Sequence, residues 1–301
     1  MPNDMHMEIA DTIVVWGLMR ATLAGVAAWG EVRLCRSLTV TCGRSVARWT
    51  LLWMGTLAGH VSAVPALLPS STCMILWTYS TSYLLQSSQL SQPQLSQQSL
   101  RTSIALGLLA TLATGWPFCA LLFCGTGLFS LHQTYHTHII TTTTTPFIPN
   151  KKKQWMAVAH LLLWVVLCAA FLQGLVMAVD YHAYGRMVSP TWNIFKYNAQ
   201  GGGDELYGVE PTSYYIKNLC LNANGVAVLG VGLFPLLLAW YRPSYASTMV
   251  VTVALPMYLW LAIVVPRPHK EERFLFPIYP MMCVTAAISL DLLLGTLSHT
   301  M

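Results

Sequence analysis

Residues 267–273, within "PRPHKEERFLFPIYP" (266–280), gather Arg267, His269, Lys270, Glu271, Glu272 and Arg273 into seven positions. His269, Lys270 and Arg273 supply cation or donor character, Arg as a two-pronged fork and Lys as a point charge, both suited to phosphate oxygens. Glu271 and Glu272 would orient those cations or partly neutralise them. The stretch is pinned between two apolar runs, "STMVVTVALPMYLWLAIVV" and "FLFPIYPMMCVTAAISL", so its cations lie at the depth of a lipid phosphate. The plain alternative is a solvated loop whose long side chains snorkel, although a basic loop needs no acid pair.

A general base must come from a short list of acids. No Asp or Glu occurs between Glu31 and Asp180; beyond it stand Asp180, Asp204, Glu205, Glu210, Glu271, Glu272 and Asp291. All but Asp291 fall in residues 180–222 or in the charged stretch. The former also carries Tyr181, Tyr184, Tyr197, Tyr207, Tyr214, Tyr215, Trp192 and several asparagines. Aromatic faces with amide and acid neighbours suit a sugar, and they equally suit an interfacial aromatic belt. The belt accounts poorly for "GGGDELYG", where three glycines and two acids suggest a turn of specified shape.

The elements positioning these groups are membrane helices. Only 9% of the 301 residues are charged, 55% are hydrophobic and the mean hydropathy is +0.54, against about 25% charged in an ordinary soluble domain. Spans of about 20 residues are expected at 12–30 (weakened by Arg20), 50–68, 72–86, 103–130, 155–179, 223–241, 247–265 and 274–295. The 103–130 run is one tilted helix or two with a break at Pro117, giving an all-α polytopic protein of about 7–9 spans. Arg33, Arg36, Arg44 and Arg48, and Lys151 to Lys153, read as basic cytoplasmic flanks, and the net charge of +5 needs no nucleic acid to explain it. The polar repeats at 86–99 and 137–147 read as disordered insertions, with 131–154 as a cytoplasmic loop. His132, His136 and His138 have no carboxylate or cysteine beside them, so no metal site is expected. The scattered cysteines read as small buried hydrophobes. Counting crossings from Lys151–Lys153 puts 180–222 and 266–273 on one side of the membrane, opposite the basic flanks.

With both segments in view, the chain resembles the dolichyl-phosphate-mannose-dependent mannosyltransferases of the endoplasmic reticulum, in the glycosyltransferase C superfamily. The family's His-Lys-Glu-x-Arg-Phe loop stands here as His269 to Phe274, and "HKEERFLFPIYP" is most similar to the alpha-1,2-mannosyltransferases of N-glycan precursor assembly. "LPSS" (68–71), "GWPF" (115–118), "YGR" (184–186), "NI..YN" (193–198), "LYG.EP" (206–211) and "LN.N" (221–224) match in order. The resemblance implies a glycosyltransferase-C-like helical bundle in the endoplasmic reticulum membrane. It implies inverting transfer of mannose from dolichyl-phosphate mannose to a dolichyl-diphosphate oligosaccharide, without cofactor or metal. His269, Lys270 and Arg273 would hold the donor phosphate, supported by Glu271 and Glu272. Asp180, Tyr184, Arg186, Asn198, Tyr207 and Glu210 would face the acceptor and sugar.

The family carries its catalytic acid in a first luminal loop that has no counterpart in this sequence, and a luminal tail after the last span is also missing. A gene model lacking both ends is the expected reason, ahead of an inactive fragment that binds lipid-linked glycan or a shortened enzyme using Asp180 or Glu210 as base. Other members of the family, acting in alpha-1,6 transfer on the same precursor or in glycosylphosphatidylinositol-anchor synthesis, are the alternative activities. A transporter fits less well, because ionisable residues cluster at span edges rather than mid-membrane.

Overall fold

Helix α1 (Pro2–Thr41) carries the first apolar run and stops where Gly43 adopts a φ of 105°, a backbone state that a side chain would strain. The chain turns there into α2 (Arg44–Thr56) and, past an extended Leu57, into the short α3 (Ala58–Ala63). Prolines then mark where helices begin, because the first turn needs no N–H and a proline φ is already helical. Pro69 opens α4 (Pro69–Ser87) and Pro93 opens α5 (Pro93–Ala113). Pro117 opens a 3-10 turn (Pro117–Phe123) that leads into α6 (Cys124–Ile140). Four more helices follow: α7 (Lys151–Tyr184), α8 (Pro190–Gln200), α9 (Ser213–Asn222) and α10 (Asn224–Tyr241). Helix α11 (Ala246–Val264) leads through the charged loop and two 3-10 turns into α12 (Tyr279–Thr300). This computed structural model describes the backbone of residues 2–114, 116–140, 151–200 and 208–300.

Among the described residues, five segments are long and apolar enough to cross a membrane: Thr12–Thr41, Lys151–Tyr184, Asn224–Tyr241, Ala246–Val264 and Glu272–Gly295. The chain is therefore an all-α, multi-pass membrane protein. These segments coincide with five of the spans expected, at 12–30, 155–179, 223–241, 247–265 and 274–295. Helices α4 (19 residues) and α5 (21 residues) have the length but are less apolar, most of α4 being buried against other helices, and α6 is shorter at 17 residues. Segment 50–68 is not one helix: Leu57 (φ −69°, ψ 112°) splits it, and α2, at about 1.5 Å per residue, is too short to span alone.

Small residues let the bundle close, as helix packing in lipid favours. Between α4 and α5, Ser80 Oγ donates to the carbonyl of Ser103 at 2.9 Å and Ser103 Oγ to that of Ser80 at 2.8 Å. Where α6 crosses α11, a Cβ on Gly125 would fall 2.0 Å from the Val251 carbonyl oxygen, so only glycine allows that approach. Buried His60, its Nε2 2.9 Å from Oε1 of the half-buried Glu31, ties α3 to α1.

Several expected loops are helical instead. The repeat at 86–99 is not disordered, since α4 runs to Ser87 and α5 starts at Pro93. Its serines are a packing face: Ser96 and Ser99 are buried, and Ser96 Oγ donates to the Ser87 carbonyl at 2.8 Å. Residues 131–140 continue α6 and 151–154 begin α7, with the Tyr135 and Trp155 rings 5.5 Å apart; 141–150 lie outside the described residues. Arg33 and Arg36 sit within α1 rather than in a loop, and Arg33 lies 4.3 Å from the centre of the Tyr83 ring. Segment 180–222 holds the end of α7 and all of α8 and α9. Of the two alternatives for 103–130, the structure has the break at Pro117, and α5 and α6 run in opposite directions, with Gly107 against Phe123 and Ser80 joining Ser103 to Thr126.

The helix ends fall into two groups. Trp116, the start of α4, the start of α8 and the α11–α12 loop share one end. Thr191 Oγ1 reaches the Leu112 carbonyl at 3.3 Å there. At the other end Gln89 Nε2 donates to Thr41 Oγ1 at 2.9 Å, which puts the α1–α2 turn, with Arg44, beside the α4–α5 connection.

Candidate functional site

The charged loop is fixed first by its backbone. The Glu210 amide donates to the Pro268 carbonyl at 3.0 Å, and the Phe274 and Leu275 amides close turns on the carbonyls of Glu271 and Glu272 at 3.1 and 2.8 Å. Trp260, on α11, donates its indole N–H to the Phe274 carbonyl at 2.6 Å. Lys270 completes the stitching: it is only 6% exposed, and its Nζ donates to the carbonyls of Glu210 at 2.9 Å and Arg267 at 2.5 Å. The segment around 208–210 is thus bonded directly to the loop, so the two polar stretches expected on one side of the membrane touch each other.

Glu271 is the hub of the side chains. Its Oε1 faces His269 Nε2 at 2.8 Å and accepts from an Arg273 terminal nitrogen at 2.6 Å, while Oε2 meets Arg273 Nε at 2.5 Å. Partial burial works against the Glu271 anion, but the hydrogen bonds and charges of Arg273 and His269 outweigh it and hold the carboxyl below its ordinary range. His269 Nδ1 faces the Gly208 carbonyl at 3.2 Å. Both ring nitrogens therefore meet acceptors, and only the doubly protonated ring can donate to both. The neighbouring Glu272 turns the other way and accepts from Asn222 Nδ2, at the end of α9, at 2.8 Å.

These groups wall a cavity of about 390 Å³. Arg267, His269, Glu271 and Arg273 line it on one side, Tyr197 and Asn198 of α8 on another, and Trp116, Phe118, Trp260 and Phe274 form its aromatic floor. Trp116 stands edge-on to Trp260 with ring centres 5.1 Å apart and lies 6.0 Å from Phe274. Phe118 stacks on Phe195 of α8 at 6.3 Å. Arg267 donates to Asn198 Oδ1 at 3.1 Å, so α8 and the charged loop share a wall. Among the described lining residues, Arg267 and Arg273, with the His269 ring, stand around the Glu271 carboxylate in a pocket with apolar walls, a setting that strengthens the hydrogen bonds of a bound anion.

The structure gathers some expected site residues and leaves others apart. His269, Arg273, Glu271 and Asn198 converge on the cavity. Lys270 does not line it, its ammonium being held by the two carbonyls, and Glu272 supports the loop through Asn222. Glu210 joins through its backbone, with its side chain exposed. Asp180, Tyr184 and Arg186 are not among the lining residues; Asp180 is half-buried, its Oδ2 without a partner among the described residues, and Tyr184 is 66% exposed. Tyr207 lies outside the described residues. Arg267, Trp116, Phe118 and Trp260 went unassigned in the sequence. Arg267 stands in the charge run but ahead of the hexapeptide, and Trp116 and Phe118 belong to "GWPF", so both signals were present.

The sequence profile of the Alg9-like mannosyltransferase family matches residues 6–301. The chain belongs to that family. It is 30% identical over 285 residues to Alpha-1,2-mannosyltransferase ALG9 of Arabidopsis thaliana, covering 93% of this chain and 43% of that protein. With the human protein of the same name it shares 30% identity over 303 residues, 97% of this chain and 44% of the relative. GPI mannosyltransferase 3 of Yarrowia lipolytica is 29% identical over a smaller share, 62% of this chain. The chain thus spans less than half the length of the curated ALG9 relatives it matches. No solved structure matches it.

Proposed function

We propose that this chain carries the donor-side part of a mannosyltransferase site. Its cavity holds the phosphate of dolichyl-phosphate mannose at the luminal face of the endoplasmic reticulum membrane. Mannose passes from there to the dolichyl-diphosphate oligosaccharide precursor of N-glycans as an alpha-1,2 linkage with inversion. The observation that carries this reading is the charge of the cavity wall: Arg267, His269 and Arg273 stand against the single carboxylate of Glu271 among the described lining residues.

In such a transfer the acceptor oxygen bonds to the anomeric carbon as the bond from that carbon to the phosphate oxygen breaks. The electron pair goes to the phosphate, and the acceptor proton goes to a base. Cations held in place before the bond breaks stabilise the charge that develops on the phosphate. Arg273 and His269 are held in this way by Glu271. A carboxylate held as an anion between two cations is a weak base, so Glu271 orients the donor site and does not deprotonate the acceptor. The luminal placement is supported by Arg44 and Lys151–Lys153, which belong to the end opposite the cavity, as a cytoplasmic end requires. The alpha-1,2 linkage is supported by the names and coverage of the ALG9 relatives.

The test is binding of a short-chain prenyl phosphate to the 301-residue chain in detergent micelles, measured by titration calorimetry. A charge-assisted hydrogen bond contributes about 1.5–3 kcal/mol, so Arg273→Ala should weaken binding by roughly tenfold to a hundredfold, and added salt should weaken the wild type. Equal affinity of Arg273→Ala and wild type would overturn the assignment.

A further inference from the structure

Trp116, Arg273 and Phe274 also line a second, smaller cavity. It measures about 210 Å³ and is shared with Ser70, Thr114 and Ile194. Ser70 is only 3% exposed, and its hydroxyl has no hydrogen-bond partner among the described residues. A buried hydroxyl without a partner costs stability, and Ser70 stands where one from a ligand would serve. The start of α4 adds to this, because Pro69 has no N–H and the N-cap Leu68 brings no side-chain cap. The first amides of that helix are the ones a helix leaves unsatisfied.

We propose that this smaller cavity is a monosaccharide subsite, in which Ser70 reads a sugar hydroxyl while Arg273, in the shared wall, meets the anomeric phosphate. The inference rests on the phosphate reading above and adds the place of the sugar. The volume falls below the about 300–1,000 Å³ of pockets for drug-sized ligands, so it takes one ring and not a chain of sugars. A pyranose has C–H groups on its faces and hydroxyls around its edge. Trp116 and Phe274 offer the apolar surface that such a face needs, and Ser70 and Arg273 offer polar groups at the margin. Asp180, Tyr184, Arg186 and Glu210, which the sequence had suggested for sugar contact, do not line this cavity. "LPSS" and "GWPF", matched in sequence without a role, become its two sides.

The experiment compares two ligands on the 301-residue chain in micelles: a short-chain prenyl phosphate and its mannose ester. The wild type should bind the ester more tightly than the bare phosphate. Ser70→Ala should weaken the ester about fivefold, the loss of one neutral hydrogen bond, and leave the bare phosphate unchanged. Ile194→Trp, which fills the cavity from α8, should remove the preference for the ester while keeping phosphate affinity. Equal binding of both ligands by wild type, or no effect of either variant on the ester, would overturn the sugar subsite alone. An equal loss on both ligands in Ser70→Ala would place phosphate in the cavity and also overturn it. Failure of wild type to bind the bare phosphate would instead defeat the phosphate reading beneath it.

Discussion

Lys270→Met separates holding the loop from binding a ligand. The substitution keeps the apolar stem of a side chain that is 6% exposed and removes the ammonium that the carbonyls of Glu210 and Arg267 share. Two charge-assisted hydrogen bonds at about 1.5–3 kcal/mol each set an upper range of about 3–6 kcal/mol. Freed side-chain entropy and the return of a costly buried charge to water reduce this, leaving roughly 2–3 kcal/mol. The loss should appear as a lower unfolding temperature in detergent and faster hydrogen exchange at the Glu210 amide, which bonds to Pro268. Arg273, 44% exposed at its side chain, should show the opposite pattern: Arg273→Ala weakens phosphate binding and barely moves the unfolding temperature. If Lys270→Met kept its stability and exchange protection but lost phosphate affinity, the ammonium would be a ligand group and the assignment of Lys270 to the loop would be refuted.

Glu271 has its carboxyl lowered from 4.5 in the folded protein. Its contribution to the loop is therefore complete above pH 4.5 and is lost as pH falls through the lower folded value. Exchange protection across 208–210 and 269–273 should fall on acidification in wild type and lose that acid limb in Glu271→Gln. Gly125→Ala should destabilise the bundle by about 2–4 kcal/mol, as a steric conflict in a core does, whereas Gly127→Ala, with nothing within 4 Å of its would-be Cβ, should not; thermal unfolding in detergent compares the two. Asp180→Asn should leave prenyl-phosphate affinity unchanged in calorimetry, because Asp180 is absent from the cavity lining.

The charged hexapeptide and its placement on the same side as residues 180–222 were legible in the sequence, because they depend on local chemistry and on counting crossings, whereas the 103–130 run stayed open between one tilted helix and two. The role of Lys270 was not, since it is set by a carbonyl 60 residues away and no composition rule reports where a distant carbonyl will point. The serine-rich stretch at 86–99 misled for a related reason. Its polarity resembles that of a flexible linker, but small hydroxyl side chains also let two helices touch, and only a partner helix decides between the two. The smaller cavity was invisible because Ser70, Trp116 and Arg273 come from three distant segments, and nothing in any one of them signals an empty space.

Prolines bracket the charged loop at 266, 268, 277 and 280. Each has its φ fixed before the chain folds, so the unfolded loop has fewer conformations to lose. Together with the carbonyl-held Lys270, they present Arg273 and His269 in one arrangement without a ligand to induce it. An anion arriving at this wall meets donors already in position, so its binding free energy goes into affinity and not into ordering the loop. The rigidity of the loop is in this sense part of how tightly the site holds its ligand.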